Sequence, residues 1–279
     1  MLVFKTSLKL KKFLDSKGVS VGLIPTMGGL HKGHLSLVER AFEENDYVVV
    51  SIYINPTQFN NLSDFKNYPQ NQKKDISLLK PFRKKIIVYI PENKEIYPNG
   101  IKSNSYDFGS LDQHMEGKFR DNHFNGVATV VEALFKNTTP NKAYFGEKDF
   151  QQFKIIKSLV EQKRINTKLI LCPIVREKNG LALSSRNKHL NSSQKKLASS
   201  IHFTLKKIKR IYDQYDVNEL EKIFIDKIED SKQLKVEYFC IASENDLIPI
   251  KNIVNNKNFR VFVAVYVGQT RLIDNIKLY

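Results

Sequence analysis

The sequence predicts a doubly wound α/β domain with a parallel β-sheet, followed by a smaller α+β domain. Strand-like and helix-like runs alternate through the first 175 residues, the pattern of a parallel sheet with helices on both faces. The run Tyr47–Ile54 is continuously β-branched or aromatic, as in a strand that is buried on both faces. From about Arg176, two Lys-rich helical stretches precede three strand-like runs, which predicts a separate α+β domain. We therefore expect domains at residues 1–175 and 176–279.

The individual elements follow from the spacing of apolar residues. Helical spacing is found in the ranges Thr6–Ser16, 33–42, Asn71–Leu79, Val127–Phe135, Phe150–Gln162, Ser192–Tyr212 and Val217–Lys232. Short apolar or β-branched runs predict strands at Val19–Ile24, Tyr47–Ile54, Lys85–Ile90, Ala143–Phe145, Leu169–Val175, Val236–Ala242, Phe259–Val267 and Thr270–Leu278. Gly268 and Gln269 join the last two strands, which predicts an antiparallel pair.

The glycine-rich stretch between the first predicted strand and its helix is the most informative part of the chain. Pro25 ends the strand, and Gly28 and Gly29 allow a tight turn close to a ligand. His31 and His34 stand at the start of the helix, where free backbone N–H groups and the helix dipole favour a polyphosphate. Three residues apart, both imidazoles face one side of the helix. Standing alone, this pair is equally explained as two surface histidines beside a flexible loop.

Polar loops follow four of the predicted strands. Ligands of an open parallel sheet bind outside the carboxyl ends of its strands, so we expect these loops on one edge. They supply His, Lys, Arg, Ser and amide side chains, a set that stabilises charge at the α-phosphorus of a triphosphate. The loops lie at 26–34, 55–59, 146–152 and 176–187. The sequence has no Gly-x-x-x-x-Gly-Lys-Ser/Thr phosphate loop, no zinc-spaced Cys/His pattern and no Gly-x-Ser-x-Gly elbow.

Composition and charge limit the possible partners. The chain of 279 residues is 41% hydrophobic, and no apolar run approaches the ~20 residues that cross a bilayer. The net charge is +16, but 36 of the 45 basic residues are Lys, scattered along the chain. This favours a solvated basic surface that attracts anionic substrates over a nucleic-acid site. Cys172 and Cys240 lie in apolar runs and are expected to be buried free thiols of a cytoplasmic protein. We expect neither a nucleic-acid nor a membrane partner.

Six long motifs run in order through nearly the whole chain: Pro25–His34, Val50–Phe59, Glu95–Pro98, His123–Val131, Tyr144–Gln152 and Leu183–Asn187, with Arg271–Asn275 closing the sequence. Together they resemble the pantothenate synthetase (pantoate–β-alanine ligase) family. The His-x-Gly-His motif is shared with nucleotidylyltransferases and class I synthetases. The resemblance therefore implies a Rossmann-like fold of the HUP/nucleotidylyltransferase type, with the C-terminal domain acting as a lid.

The resemblance implies an ATP-dependent ligase that condenses (R)-pantoate with β-alanine in pantothenate and coenzyme A biosynthesis. ATP is a substrate, Mg²⁺ is the implied metal, and the products are pantothenate, AMP and diphosphate. The implied intermediate is pantoyl adenylate, because a free carboxylate is a poor electrophile. A cytoplasmic homodimer is implied as well.

The resemblance also implies roles for individual residues. The implied catalytic residues are His31, His34, Lys148 and Arg186, with His34 as the candidate proton donor. The implied ATP site is lined by Met27, Gly28, Gly29, Leu30, His31, Lys32, Gly33, His34, Gly146, Glu147, Lys148, Asp149, Val175, Leu183, Ser184, Ser185 and Arg186. In it Lys148 meets phosphate, Gly146 and Asp149 meet ribose, and Val175 meets adenine through its backbone. Gln58 and Gln152 hold pantoate, with Gln58 also near β-alanine.

A few positions depart from the family pattern. Lys32 stands where an acidic residue is frequent, Gln70 replaces the arginine of a Tyr-Pro-Arg sequence, and Lys73 and Lys74 precede Asp75 in a segment that is usually more acidic. Asp75 is a candidate for assisting Mg²⁺, and no set of metal ligands follows from the sequence.

Two other functions remain open at this point. A nucleotidylyltransferase fits the His-x-Gly-His motif equally well, and it would release a stable nucleotide conjugate instead of AMP. Gln58 and Gln152 at the acceptor end argue against it. A non-catalytic RNA-binding protein predicts clustered Arg and exposed aromatic residues, neither of which the sequence shows.

Overall fold

The computed structural model describes residues 1–60, 62–253 and 258–279, and the chain folds into two units. The first unit contains Met1–Phe108 and Arg120–Pro173. The second contains Ile174–Tyr279 and also takes in the segment Gly109–Phe119. The sequence predicted one boundary, between residues 175 and 176. It gave no sign that Gly109–Phe119 belongs to the second unit, because the composition of this segment does not differ from that of its neighbours.

Helices separate the successive strands of the first unit, and in the second unit two long helices precede the strands. Along the described residues the strands are β1 (Leu2–Phe4), β2 (Val21–Thr26), β3 (Tyr47–Ile52), β4 (Ile86–Tyr89), β5 (Lys142–Gly146), β6 (Lys168–Cys172), β7 (Leu234–Ser243), β8 (Phe259–Val267) and β9 (Thr270–Lys277). The α-helices are α1 (Ser7–Asp15), α2 (Lys32–Glu44), α3 (Leu62–Asn67), α4 (Gln72–Leu79), α5 (Asn93–Ile96), α6 (Glu116–Phe119), α7 (His123–Thr138), α8 (Phe150–Gln162), α9 (Ser192–Ile211) and α10 (Val217–Glu229).

The first unit is built on a six-stranded sheet with the order β1-β4-β3-β2-β5-β6. Every neighbouring pair in it is parallel, which confirms the predicted doubly wound sheet. The central strands are buried on both faces, as their continuous apolar runs predict. Strand β1 was not predicted, since it has only three residues and two of them, Leu2 and Val3, are exposed.

Helix α7 is buried on most of its sides. Twelve of its 16 residues are buried, so it is a core helix of the first unit. The sequence predicted only Val127–Phe135 as helical. The first turn contains His123, Asn125 and Gly126, which do not extend an apolar pattern, although the backbone there is helical.

The second unit packs helices on an antiparallel sheet with the order β7-β8-β9. This is the α+β arrangement that the sequence predicted. Helices α9 and α10 each begin with a capping box, formed by Asn191 with Gln194 and by Asp216 with Glu219. These reciprocal bonds satisfy the first N–H groups of each helix and explain why both begin where predicted.

The closing motif of the chain supports the second unit through ion pairs. Arg271 binds Glu116 of the inserted segment at 2.7 and 2.9 Å and Glu237 at 2.8 Å. Glu116 also accepts a hydrogen bond from Tyr238 at 2.8 Å. Burial alone would lower the pKa of Arg271, but the bonds to the two carboxylates outweigh it, so the pKa is raised. Arg271 therefore has a structural role. Together with Tyr238 it holds Glu116 against β7 and β9.

The two cysteines are free thiols. Cys172 is buried as expected, whereas Cys240 is partly exposed. Burial raises the pKa of the Cys240 thiol to about 12, which keeps it protonated at neutral pH.

Among the described helices, none has the length and apolar character needed to cross a membrane.

Candidate active site

The order of the sheet in the first unit places β2 between β3 and β5, so the winding direction of the chain reverses beside β2. At such a position the connections leave the sheet in opposite directions and a crevice opens outside the carboxyl ends of the strands. The loops after β2, β3 and β5 meet at this edge. They are three of the four loops in which the sequence places polar residues.

The loop after β2 directs its first N–H groups into the protein. Gly28 N–H donates to Thr26 Oγ1 at 3.1 Å. The next two N–H groups, of Gly29 and Leu30, donate to the carboxylate of Asp75 at 2.9 and 2.8 Å. The N–H groups of Gly28, Gly29 and Leu30 are therefore all bonded within the protein. The sequence predicts phosphate binding beyond these three residues, at the start of α2.

The two histidines do come together at the start of α2. His31 is the N-cap, and its Nδ1 accepts the N–H of Gly33 at 3.1 Å. Because Nδ1 is an acceptor, the neutral ring carries its proton on Nε2 and can donate there. The ring of His34 lies against that of His31, with centroids 4.1 Å apart and planes at 37°. The structure thus gives one face of the helix start a pair of adjacent imidazoles.

The amide of Gln58 is held in one orientation between two loops. Its Oε1 accepts from Asn55 Nδ2 at 3.0 Å, and its Nε2 donates to Met27 Sδ at 2.9 Å. Asn55 is 1% exposed, and its Oδ1 accepts from the hydroxyl groups of Thr57 and Tyr97. The loop after β3 is thereby joined to the loop after β2. No role was predicted for Asn55 or Tyr97, although both lie in the quoted motifs.

The backbone of Gln58 is held by the start of α7. His123 Nδ1–H donates to the Gln58 carbonyl at 2.9 Å, and Arg120 donates to the same oxygen at 3.2 Å. Arg120 also lies 3.1 Å from His123 Nε2; since arginine only donates, this fixes the proton of the neutral imidazole on Nδ1. A Cβ on Gly126 would lie 2.6 Å from the carbonyl oxygen of Thr57, so only glycine allows this approach. The signal in the sequence was a glycine directly before the apolar helical pattern that begins at Val127.

The loop after β5 contains a lysine, Lys148, and begins with a glycine, Gly146, whose backbone has open space beside it. Lys148 Nζ lies 3.1 Å from Asp149 Oδ1, and the lysine side chain is 18% exposed. Gly146 has an ordinary φ of −79°, and a Cβ there would have no atom within 4 Å. Neither backbone strain nor packing within the protein requires glycine at 146, which fits a ligand lying against this backbone. Gln152 is half-buried in the first turn of α8.

Five of the predicted ATP residues, Val175 and Leu183–Arg186, belong to the second unit. The carbonyl of Val175 accepts the N–H of Leu183 at 3.0 Å, so a contact with adenine would use the Val175 N–H or the second lone pair of this carbonyl. Ser184 caps the short 3₁₀ turn Ser185–His189 by accepting the N–H of Arg186 at 3.3 Å. Ser185 is buried, and Arg186 is partly exposed.

Arg176 has a structural role. The sequence placed it among the cations of the loop that follows β6. Its guanidinium instead binds both oxygens of Asp274, at 2.6 and 2.9 Å, and the carbonyl of Gly180 at 3.2 Å. Asp274 is 6% exposed, so the pair belongs to the interior of the second unit.

The residues do not form a preassembled metal site. In the part of the chain that the structure describes, no three His, Cys, Asp or Glu side chains are grouped to hold an ion. Both oxygens of Asp75 accept backbone N–H groups, and the residue is 2% exposed. Its contacts do not fit the expected role in assisting Mg²⁺.

A family model described as pantoate–β-alanine ligase matches residues 2–277 of this chain. The chain belongs to the pantoate–β-alanine ligase family. It is 42% identical over 283 residues to the pantothenate synthetase of Flavobacterium psychrophilum, with both chains covered completely. It is 44% identical over 279 residues to that of Azobacteroides pseudotrichonymphae, covering 99% of each chain.

Solved structures of this ligase family have the same fold. The pantothenate synthetase of Thermus thermophilus is 35% identical, with a TM-score of 0.91 and complete coverage of both chains. The pantoate–β-alanine ligase of Francisella tularensis, complexed with beta-gamma ATP and β-alanine, is 38% identical with a TM-score of 0.81, covering 100% of this chain and 98% of the other. These matches confirm the predicted resemblance, fold class and enzyme class. They also decide against the two alternatives, a nucleotidylyltransferase and a non-catalytic RNA-binding protein.

Proposed function

We propose that this pantoate–β-alanine ligase uses ATP to convert pantoate into pantoyl adenylate, which β-alanine then attacks. The observation that carries the proposal is the paired imidazoles of His31 and His34 on the same sheet edge as the fixed amide of Gln58. The pair of imidazoles suits a polyphosphate, and the Gln58 amide suits a hydroxyl group or a carboxylate. The relative from Francisella tularensis complexed with beta-gamma ATP and β-alanine supports two of the three substrates.

In the first step, a carboxylate oxygen of pantoate attacks the α-phosphorus of ATP. A new P–O bond forms, the bond to the bridging oxygen of the β-phosphate breaks, and pyrophosphate leaves with that electron pair. Negative charge develops on the phosphate oxygens, and donors already in place stabilise it. We assign this role to Nε2–H of His31, to His34 and to the Lys148 ammonium.

In the second step, the uncharged amine of β-alanine attacks the carbonyl carbon of the adenylate. The amide C–N bond forms, the C–O bond to AMP breaks, and the nitrogen loses one proton. Gln58 and Gln152 hold pantoate so that its carboxyl group meets the α-phosphorus first and the amine afterwards. The adenylate hydrolyses readily, so water must be excluded between the two steps.

The second unit contributes Val175, for adenine, and Leu183–Arg186, for the phosphates. Both roles, and the closure of this unit as a lid, rest on the resemblance of the motifs. Mg²⁺ is proposed to arrive with ATP, bound to its phosphate oxygens and water, as this ion prefers. When bound, it would neutralise phosphate charge.

A product assay tests the proposed reaction. Incubation with ATP, Mg²⁺, pantoate and β-alanine is expected to give pantothenate and AMP in equal amounts, measured by chromatography. Omitting β-alanine should abolish pantothenate formation. A stable conjugate of pantoate with a nucleotide, and no AMP, would instead indicate a nucleotidylyltransferase.

Gly146→Ala is expected to weaken the use of ATP without destabilising the protein. The added methyl group enters space that is empty around the protein chain and that the proposed ribose occupies. We expect the KM for ATP to rise at least about tenfold, equivalent to 1.4 kcal/mol, with no change in the melting temperature. An unchanged KM for ATP would remove Gly146 from the proposed ribose contact.

Two further variants separate the proposed subsites for phosphate and pantoate. Lys148→Ala is expected to weaken the use of ATP, whereas Gln152→Ala is expected to raise mainly the KM for pantoate. Steady-state kinetics with each substrate varied in turn measures both. If Gln152→Ala raised the KM for ATP and left the KM for pantoate unchanged, the proposed arrangement of the two subsites would be wrong.

We also infer a cytoplasmic homodimer from the resemblance. The two free thiols are consistent with a reducing compartment. Sedimentation of the purified protein is expected to give twice the mass of 32.3 kDa, and a monomer at all concentrations would contradict the inference.

A further inference from the structure

The carboxylate of Asp75 lies buried against the glycine-rich loop. Asp75 belongs to α4, is 2% exposed and lies 46 residues from Gly29 in the sequence. Its Oδ2 accepts Gly29 N–H at 2.9 Å, and its Oδ1 accepts Leu30 N–H at 2.8 Å. Two consecutive N–H groups thus each have a carboxylate oxygen, which the side chain can provide because both of its oxygens are acceptors. Hydrogen bonds to an ionised acceptor are stronger than those between neutral groups.

Helix α4 holds the Asp75 side chain in place. Its N-cap Asn71 accepts the N–H of Lys74 at 2.9 Å. Leu79, one turn after Asp75, is fully buried in the same hydrophobic cluster as Leu30. Leu30 is therefore held twice, through its N–H by Asp75 and through its side chain by the cluster. The carboxylate joins two elements that are each anchored in the core.

The backbone of Gly28 also lies close to the Asp75 carboxylate. Its φ of +84° lies in the left-handed region, and a Cβ there would lie 3.1 Å from both Asp75 Oδ2 and Ile52 Cγ2. The turn passes close over the carboxylate, and His31 follows Leu30 as the N-cap of α2. The position of the carboxylate therefore sets the path of the chain into the histidine pair.

We propose that Asp75 is a positioning residue for the ligase reaction. Its carboxylate fixes the backbone of Gly29 and Leu30, so that His31 and His34 enter α2 in the orientation that serves the phosphates. The inference rests on the proposed function of these two histidines. A displacement of 1 Å at a reacting group can lower a rate about 10²-fold, so the fixed path of this loop matters to catalysis. This role takes the place of the expected Mg²⁺ contact.

Asp75→Asn tests the proposal with almost no change in side-chain size. The amide keeps one acceptor and places an NH₂ group against the second backbone N–H. We expect kcat to fall about tenfold to 10²-fold, with the Mg²⁺ concentration for half-maximal activity unchanged. Asp213→Asn, the same substitution at an exposed position, should leave both values unchanged. An unaltered kcat in Asp75→Asn would overturn the proposal. So would a raised Mg²⁺ requirement with full kcat at saturating Mg²⁺, since that result identifies a metal ligand.

Amide hydrogen exchange of the wild-type protein without ligand gives a second test that needs no variant. The N–H groups of Gly29 and Leu30 are expected to exchange much more slowly than in an unstructured peptide, because both are bonded and buried. Exchange at the rate of an unstructured peptide would overturn the role of Asp75 even if the enzyme is active. Protected N–H groups in a protein that forms no pantothenate would count against the proposed function and leave the Asp75 contact intact.

Discussion

His34→Ala is expected to lower kcat for pantothenate formation by about 10²–10³ while the protein remains folded, because it would remove one preorganised donor from the proposed site of the α-phosphate oxygens. The imidazole of His34 lies against that of His31 at the start of α2 and belongs to the proposed phosphate site. Steady-state kinetics at saturating ATP, pantoate and β-alanine measures the effect. Full activity in this variant would show that His34 takes no part in the chemistry.

Matched variants separate the chemistry from the structure of the helix start. His189→Ala removes an exposed imidazole and should leave kcat unchanged. His31 also caps α2 through Nδ1, so alanine at position 31 would cost about 1 kcal/mol of stability as well as a donor. His31→Asn restores a capping acceptor without the imidazole. We therefore expect it to fold like the wild type and still lose activity.

Arg271→Ala destabilises the second unit by about 3–5 kcal/mol, because it leaves two largely buried carboxylates without their cation. The side chains of Glu116 and Glu237 are 8% and 17% exposed, and both form an ion pair with Arg271. Urea denaturation followed by circular dichroism measures the change in the free energy of unfolding. The transition must be fitted with allowance for two units that unfold separately.

An exposed arginine provides the control for this prediction. Arg210 lies on the solvent side of α9, and Arg210→Ala should change the free energy of unfolding by less than about 0.5 kcal/mol. If Arg271→Ala were no more destabilising than Arg210→Ala, the cluster of Arg271, Glu116 and Glu237 would not stabilise the second unit.

Most of the fold could be predicted because its elements carry strong local patterns. Tyr47–Ile52 is a buried parallel strand in a run of β-branched and aromatic residues, and Phe150–Gln162 is a helix with clear apolar spacing. The features that were not predicted have identifiable reasons, two of them local and one long-range. β1 is too short to show a pattern, and the first turn of α7 begins with residues that do not look helical. The assignment of Gly109–Phe119 to the second unit depends on Glu116 meeting Arg271, a contact between residues 155 positions apart.

The candidate site could be predicted only as far as neighbouring residues determine it. His31 and His34 lie three residues apart at a helix start, so their proximity follows from the helix alone. Asp75 contacts Gly29 across 46 residues, and His123 contacts Gln58 across 65. Such contacts depend on the tertiary fold, which no pattern in one sequence reports. For the same reason the sequence could not show that Arg176, at the start of the fourth polar loop, binds Asp274.

Isotope exchange between pyrophosphate and ATP tests the adenylate route most directly. The enzyme is incubated with ATP, Mg²⁺, pantoate and labelled pyrophosphate, and β-alanine is left out. If the carboxylate of pantoate attacks the α-phosphorus and the first step is reversible, label appears in ATP at a rate that depends on pantoate. His34→Ala should slow this exchange as much as it slows the complete reaction. No exchange, in enzyme that makes pantothenate when β-alanine is present, would contradict the adenylate route and indicate a concerted displacement.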